Sequence, residues 1–334
     1  MSKNIVVCYD GTSAEYSKNN TNVVRIFESI VKDDTQAAFY DPGVGTFSFL
    51  GRKFGRWLGI VLGLVFGYGI RKNIEDGYEY LMNRFEPGDT VFLFGYSRGA
   101  YTARALAGMI HQFGILQKGS KNLIPYVSKM YFKKDGKKDF SVLRGFKETF
   151  SNVCEPHFIG LWDTVAALGP NLSKKFPDLK LNSDVKYGFQ AVAIDEKRRP
   201  YKVVLWDESN KADNQIIEQV WFAGAHSEIG GGCSKGKCSL PKIAFSWMMD
   251  KASECGLRLK DSWQGGLNQD AGVDMHDSCS LPWVVLGLRK KREIPEKAII
   301  HQSVIDRVNK RDDYNPTLPE NKSIAITDSY SNNA

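Results

Sequence analysis

Thr90-Val91-Phe92-Leu93-Phe94-Gly95-Tyr96-Ser97-Arg98-Gly99 is the stretch on which the reading of this chain turns. Thr90 to Phe94 reads as a short buried strand, and Ala100 to Phe113 reads as a helix. Between them, Gly95 to Gly99 has the form G-x-S-x-G. A turn that tight has no room for side chains at the glycine positions, and it pushes the serine hydroxyl out above the sheet edge. The pentapeptide alone is common. The strand on its left and the helix on its right make it a nucleophile elbow.

The sequence around the elbow alternates in the same way. Asn4–Tyr9 (NIVVCY) is a strand, Asn22–Val31 a helix, Ala37–Tyr40 a strand and Ile70–Phe85 a helix. Strands alternating with helices indicate a parallel sheet with covering helices. Further on, strands are expected at His157–Trp162, Tyr201–Trp206 and Gln219–Ala223, and helices at Asp184–Asp195 and Ile243–Glu254. The fold class expected is α/β and α/β-hydrolase-like, a mostly parallel sheet with helices on both faces and a helical insertion or lid. Residues 1–320 read as one catalytic domain, with 47–72 and 119–150 as lid or insertion segments and 321–334 as a flexible polar tail.

The chain has 334 residues, 42% hydrophobic and 25% charged, enough to bury a full core without disulfides. Its six cysteines are scattered, and Cys8 lies inside an apolar strand, which suits a reducing compartment. No signal peptide precedes the first strand, so the expected location is cytoplasmic, with export by a signal-peptide-independent secretion system also open. Trp57–Ile70 (WLGIVLGLVFGYGI) is apolar but shorter than the ~20 residues a membrane span needs. It reads as a buried helix or lid, or as a patch dipping into a membrane interface. The net charge of +7 is clustered at Lys129–Lys138, Lys197–Arg199 and Arg289–Arg292. Such runs are most simply solvated surface; the functional alternative is attraction to an anionic lipid surface. No stacking platform accompanies them, so nucleic acid is not an expected partner.

Serine needs a histidine to take its proton and a carboxylate to orient that histidine. The chain order in such folds is Ser, acid, His, and the site lies beyond the carboxyl ends of the strands. Of the five histidines, His111 sits within the elbow helix, and His157 sits at the start of its strand. His226 follows a strand directly and is the candidate base. Asp163, which ends the run His157–Trp162, is the candidate acid, with Asp195 and Asp207 as rivals. The oxyanion needs backbone N–H donors. The residue after the nucleophile, Arg98, supplies one; Gly11-Thr12, after the first strand, is the candidate for the other, and Gly43–Gly45 the second choice. Two rival chemistries fall short. A D-x-D-G-T phosphatase loop would need an aspartate where Cys8 stands, and Cys233 and Cys238 near His226 lack the second pair that a zinc site usually brings. No metal and no cofactor are expected.

Several separated motifs resemble the DUF2235 family, the α/β-hydrolase domain of Tle1-type phospholipase effectors of type VI secretion. They are Tyr9-Asp10-Gly11-Thr12, Gly43-Val44-Gly45-Thr46, Phe94 to Tyr101, Gly160-Leu161-Trp162-Asp163-Thr164-Val165, Ala193-Ile194-Asp195-Glu196 and Trp221 to Gly232. The likeness runs over roughly residues 3–320. It implies a Ser97–Asp163–His226 triad and hydrolysis of a lipid ester of phospholipase A type. Where the family motif has an aspartate, this chain has Glu228. The reading is a serine esterase on a lipid or other acyl-ester substrate. A soluble acyl ester or thioester is the alternative substrate, and a non-catalytic binding domain the alternative class. Oligomeric state is not legible.

Overall fold

The structure is a computed structural model that describes residues 2–12, 16, 19–43, 57–133, 138–165, 181–233, 239–275, 278, 289–326 and 330, with backbone alone for 57–68 and 210. The strands are β1 (Asn4–Tyr9), β2 (Gln36–Asp41), β3 (Thr90–Tyr96), β4 (Ile115–Leu116), β5 (Ser151–Asn152), β6 (Phe158–Trp162), β7 (Tyr187–Ala193), β8 (Ile216–Phe222), β9 (Ile299–His301) and β10 (Ser323–Ala325). The helices are α1 (Asn22–Ser29), α2 (Trp57–Arg84), α3 (Arg98–Phe113), α4 (Ile124–Tyr131), α5 (Phe140–Phe150), α6 (His226–Gly230), α7 (Leu240–Glu254) and α8 (Gln302–Lys310).

Eight strands form one sheet in the order β10-β9-β8-β7-β6-β3-β1-β2, and every pairing in it is parallel. The chain builds outward from β1 to β2, then crosses to β3 and continues the other way. The order therefore reverses between β1 and β3. At such a reversal the loops after the two strands part, leaving a crevice beyond their carboxyl ends. Ser97 follows β3, and Asp10-Gly11-Thr12 follows β1.

Both faces of the sheet are covered, so its strands read as continuous apolar runs with side chains alternating between two cores. Val7, Tyr9, Leu93 and Leu161 pack with α2, α3 and α4 on one face. Cys8, Phe94, Trp162 and Phe189 pack with α1 and α7 on the other. A smaller cluster, including Trp221, Ile300 and Val304, closes the β8–β9 end. The 119–150 segment forms α4 and α5. Ile124, Val127 and Leu143 of this segment join the first core, and Arg71 Nε donates to Ser128 Oγ at 2.8 Å.

Three expectations are corrected. The helix expected over Asp184–Asp195 is strand β7. Phe189, Ala191 and Ala193 face one core, and the backbone pairs with β6 and β8 on either side, which overrides the segment's helical composition. The strand expected over Tyr201–Trp206 is a 3₁₀ turn followed by a loop, whose Val203 only bridges Val165. The apolar stretch 57–70 is helical, as expected, and continues into Ile70–Phe85 as one helix, α2. Part of the expected flexible tail is ordered: Ser323–Ala325 adds the edge strand β10, and Tyr330 is buried, its hydroxyl donating to Asp306 Oδ2 at 2.6 Å. The expectations that fall on 44–56, 134–137, Cys238, 276, 279, 327–329 and 331–334 lie outside the described residues. Among the described residues no helix is long and apolar enough to cross a membrane.

Candidate active site

The elbow is built from contacts that only glycine permits. A Cβ on Gly95 would stand 2.5 Å from the Gly99 carbonyl oxygen, and one on Gly99 would stand 2.2 Å from the Tyr9 carbonyl oxygen. The end of β1 and the start of α3 thus touch backbone to backbone. Ser97, between them, is held at φ 59°, ψ −119°, a conformation that L side chains rarely adopt. Its N–H is anchored to the Trp162 carbonyl at 2.9 Å, so the strained turn is fixed by the neighbouring strand.

The structure brings Ser97, His226 and Asp163 together from the ends of β3, β8 and β6. Ser97 Oγ lies 2.7 Å from His226 Nε2, and His226 Nδ1 lies 2.5 Å from Asp163 Oδ2. All three are buried. The imidazole is held on two sides. The Tyr96 ring packs against it at 4.9 Å, and Tyr201 meets it edge-on at 5.0 Å. Tyr96 also donates its hydroxyl to the His226 carbonyl at 3.2 Å. The His226 N–H donates to Glu196 Oε2 at 3.3 Å. Glu228 stands apart from these three; its Oε2 accepts the Ala225 N–H at 2.8 Å, at the start of α6.

Asp163 has a further partner. Arg292 donates from Nη1 to Asp163 Oδ1 at 2.5 Å and from Nη2 to Oδ2 at 2.9 Å, a bidentate fork. The same guanidinium donates to the carbonyls of Ala193 at 2.9 Å and Tyr201 at 2.7 Å. Ala193 N–H completes the carboxylate's shell at 3.0 Å. Burial alone would raise the carboxyl's pKa; the charge of Arg292 and the hydrogen bond from His226 outweigh it and hold Asp163 well below the usual carboxylate range. No sequence signal marks this contact, because Arg292 ends a basic run that reads as solvated surface. Its side chain is 6% exposed.

The rival acids are spent elsewhere. Asp195 Oδ2 accepts from Gly224 N–H and from the Tyr314 hydroxyl, and Asp207 caps the turn at Ser209. His111 pairs with Asp184 on the surface, and His157 bonds the Cys255 carbonyl. Cys8 is buried in the core, and that burial pushes its thiol up.

The expected oxyanion donors divide. Gly11 lies against Ser97, since a Cβ on it would be 3.6 Å from Ser97 Cβ, but its N–H donates to Asp10 Oδ1 at 2.6 Å. That bond takes Gly11 out of the donor set. Asp10 is itself held by the Thr21 and Tyr40 hydroxyls, and burial raises its carboxyl to about 6. Gly43 N–H is spent on Asp41, and 44–45 lie outside the described residues. Thr12 and Arg98 remain. Arg98 opens α3, where an N–H has no acceptor within its own helix. The Thr12 hydroxyl is buried with no hydrogen-bond partner among the described residues. Among those residues no group of three His, Cys, Asp or Glu side chains could hold a metal ion.

Residues 3–251 match the family model of the phospholipase effector Tle1-like catalytic domain of type VI secretion. The chain belongs to this family. An uncharacterized protein of Saccharomyces cerevisiae is 32% identical to it over 218 residues, covering 60% of this chain and 32% of the relative. Two solved structures share 19% and 18% identity, each with a TM-score of 0.46. One is an uncharacterized protein from Pseudomonas aeruginosa, covering 78% of this chain and 47% of that one. The other is the Tle1 effector bound to the VgrG spike of the type 6 secretion system, covering 70% and 52%. The Tle1-like chain thus spans about a third of the yeast relative and about half of each structural neighbour.

Proposed function

We propose that this Tle1-like domain is a serine hydrolase that cleaves a carboxylic ester, the acyl ester of a phospholipid. The observation that carries the reading is the unbroken relay from Ser97 Oγ through His226 to Asp163, at 2.7 and 2.5 Å. In this mechanism Ser97 Oγ attacks the ester carbonyl while His226 Nε2 takes its proton, forming a tetrahedral intermediate. Asp163, fixed by Arg292, holds the imidazole in the tautomer whose Nε2 can accept. The N–H groups of Arg98 and Thr12 receive the oxyanion, each such donor being worth about 10²–10³ in rate. His226 then protonates the leaving alcohol, and a water activated by the same histidine releases the fatty acid.

The choice of phospholipid rests on family membership and on the basic surface near the site. Incubation of the protein with a panel of phospholipids, alongside Ser97→Ala, tests it. The expected result is fatty acid and lysophospholipid from the wild type alone. Turnover of soluble acyl esters without phospholipid cleavage would reassign the substrate. Activity no greater than that of Ser97→Ala on either class would leave a binding domain that kept the fold.

A further inference from the structure

Beside the triad, on the side of Asp163 and His226, lies a cavity of about 450 Å³. Arg198, Arg199, Lys202, Lys290, Lys291 and Arg292 line it, with Glu293 the one acid on its wall among the described residues. Three of the cations have carboxylate partners: Arg198 with Glu196, Lys290 with Glu293 and Arg292 with Asp163. Arg199, Lys202 and Lys291 make no ion pair among the described residues. The two basic segments are nonetheless drawn together by backbone contacts. Lys290 N–H donates to the Lys197 carbonyl at 2.7 Å, and Arg198 bridges Arg289 in antiparallel register. Like charges opposed across a strand pair are unfavourable unless something negative lies between them. The walls are also preformed. Arg198 stacks on the Tyr201 ring at 3.7 Å, and the Nε–H of Arg292 is a buried donor with no partner among the described residues.

We infer that this cavity is a phosphate-binding site, taking a phosphomonoester or phosphodiester anion. Arg199, Lys202 and Lys291 face the cavity without a carboxylate partner among the described residues, and an arginine fork such as that of Arg199 matches two phosphate oxygens at once. The occupant would adjoin the catalytic relay, since Tyr201 touches His226 and Arg292 holds Asp163. A lipid headgroup and a free phosphate compound share this chemistry. The lipid source rests on the phospholipid reading above, whereas phosphate binding itself does not, so binding is measured on the full chain carrying Ser97→Ala.

Titration calorimetry with inorganic phosphate and with glycerol phosphate tests one source. Sedimentation with phosphatidylglycerol vesicles against pure phosphatidylcholine vesicles tests the other. In whichever arm binds, Arg199→Gln/Lys291→Gln and separately Lys202→Gln should weaken it, the double variant by about tenfold or more. All three side chains are exposed, so folding should be retained, which matching melting curves would verify. A control, Lys129→Gln/Lys133→Gln, removes the same charge from exposed lysines that do not line the cavity and should leave binding unchanged. Binding of phosphate or glycerol phosphate assigns a soluble source; binding of vesicles alone assigns a headgroup. No binding in either arm, or equal weakening by the control, would overturn the site.

Discussion

Replacing Arg292 by methionine keeps most of the side-chain volume and removes the guanidinium from beneath Asp163. Four hydrogen bonds go with it, two to Asp163 and one each to the Ala193 and Tyr201 carbonyls. Asp163 is fully buried and the Arg292 side chain nearly so, which leaves little solvent to compensate. Removing one partner of a buried pair costs about 3–5 kcal/mol, because the other charge stays behind unpaired. In a chain of 334 residues, at about 2.1 cal/mol/K of unfolding entropy per residue, that is a fall in melting temperature of about 4–7 °C. The pH dependence follows from the same contact. The folded carboxyl lies below its unfolded value of about 4, so the stabilisation is complete above that value and is lost as pH falls through the folded one. Calorimetric melts of wild type and Arg292→Met from pH 8 downward should show the full gap at pH 7, narrowing below about pH 4. A gap of less than about 2 °C at pH 7, or one that widens in acid, would refute the clamp.

Asp163→Asn should lower kcat by about 10⁴, because the amide favours the wrong imidazole tautomer; near-wild-type turnover would remove Asp163 from the relay. Ser97→Gly should melt above Ser97→Ala, reversing glycine's usual deficit, since φ 59° and ψ −119° store about 1–3 kcal/mol in any other residue. Equal melting points, or a higher one for Ser97→Ala, would show the elbow to be unstrained. Gly99→Ala forces a Cβ toward the Tyr9 carbonyl, 2.2 Å away, and should cost about 1–3 kcal/mol as well as activity. A variant that melts and turns over like wild type would contradict the contact between β1 and α3.

The elbow was legible because its cause is local: a strand, two glycines and a helix follow one another in sequence. Asp163 and His226 were legible for a related reason, each directly following an apolar strand. Arg292 was not. It is separated from Asp163 by 129 residues and lies in no repeating pattern, so nothing local distinguishes it from its solvated neighbours. Strand β7 was misread because burial on both faces erases the alternation that marks a strand, leaving a helix-compatible composition. Strands β9 and β10, three residues each, are too short to carry a period at all. The loss of Gly11 as a donor was likewise hidden, since it depends on where the Asp10 carboxylate turns.

The central claim is that Ser97 is an activated nucleophile, and covalent labelling reads that directly. A fluorophosphonate probe followed by intact-mass and peptide mass spectrometry should give one adduct, on Ser97, in the wild type, and none in Ser97→Ala or after denaturation. Failure to label the folded protein, or labelling of another residue that persists in Ser97→Ala, would contradict the account.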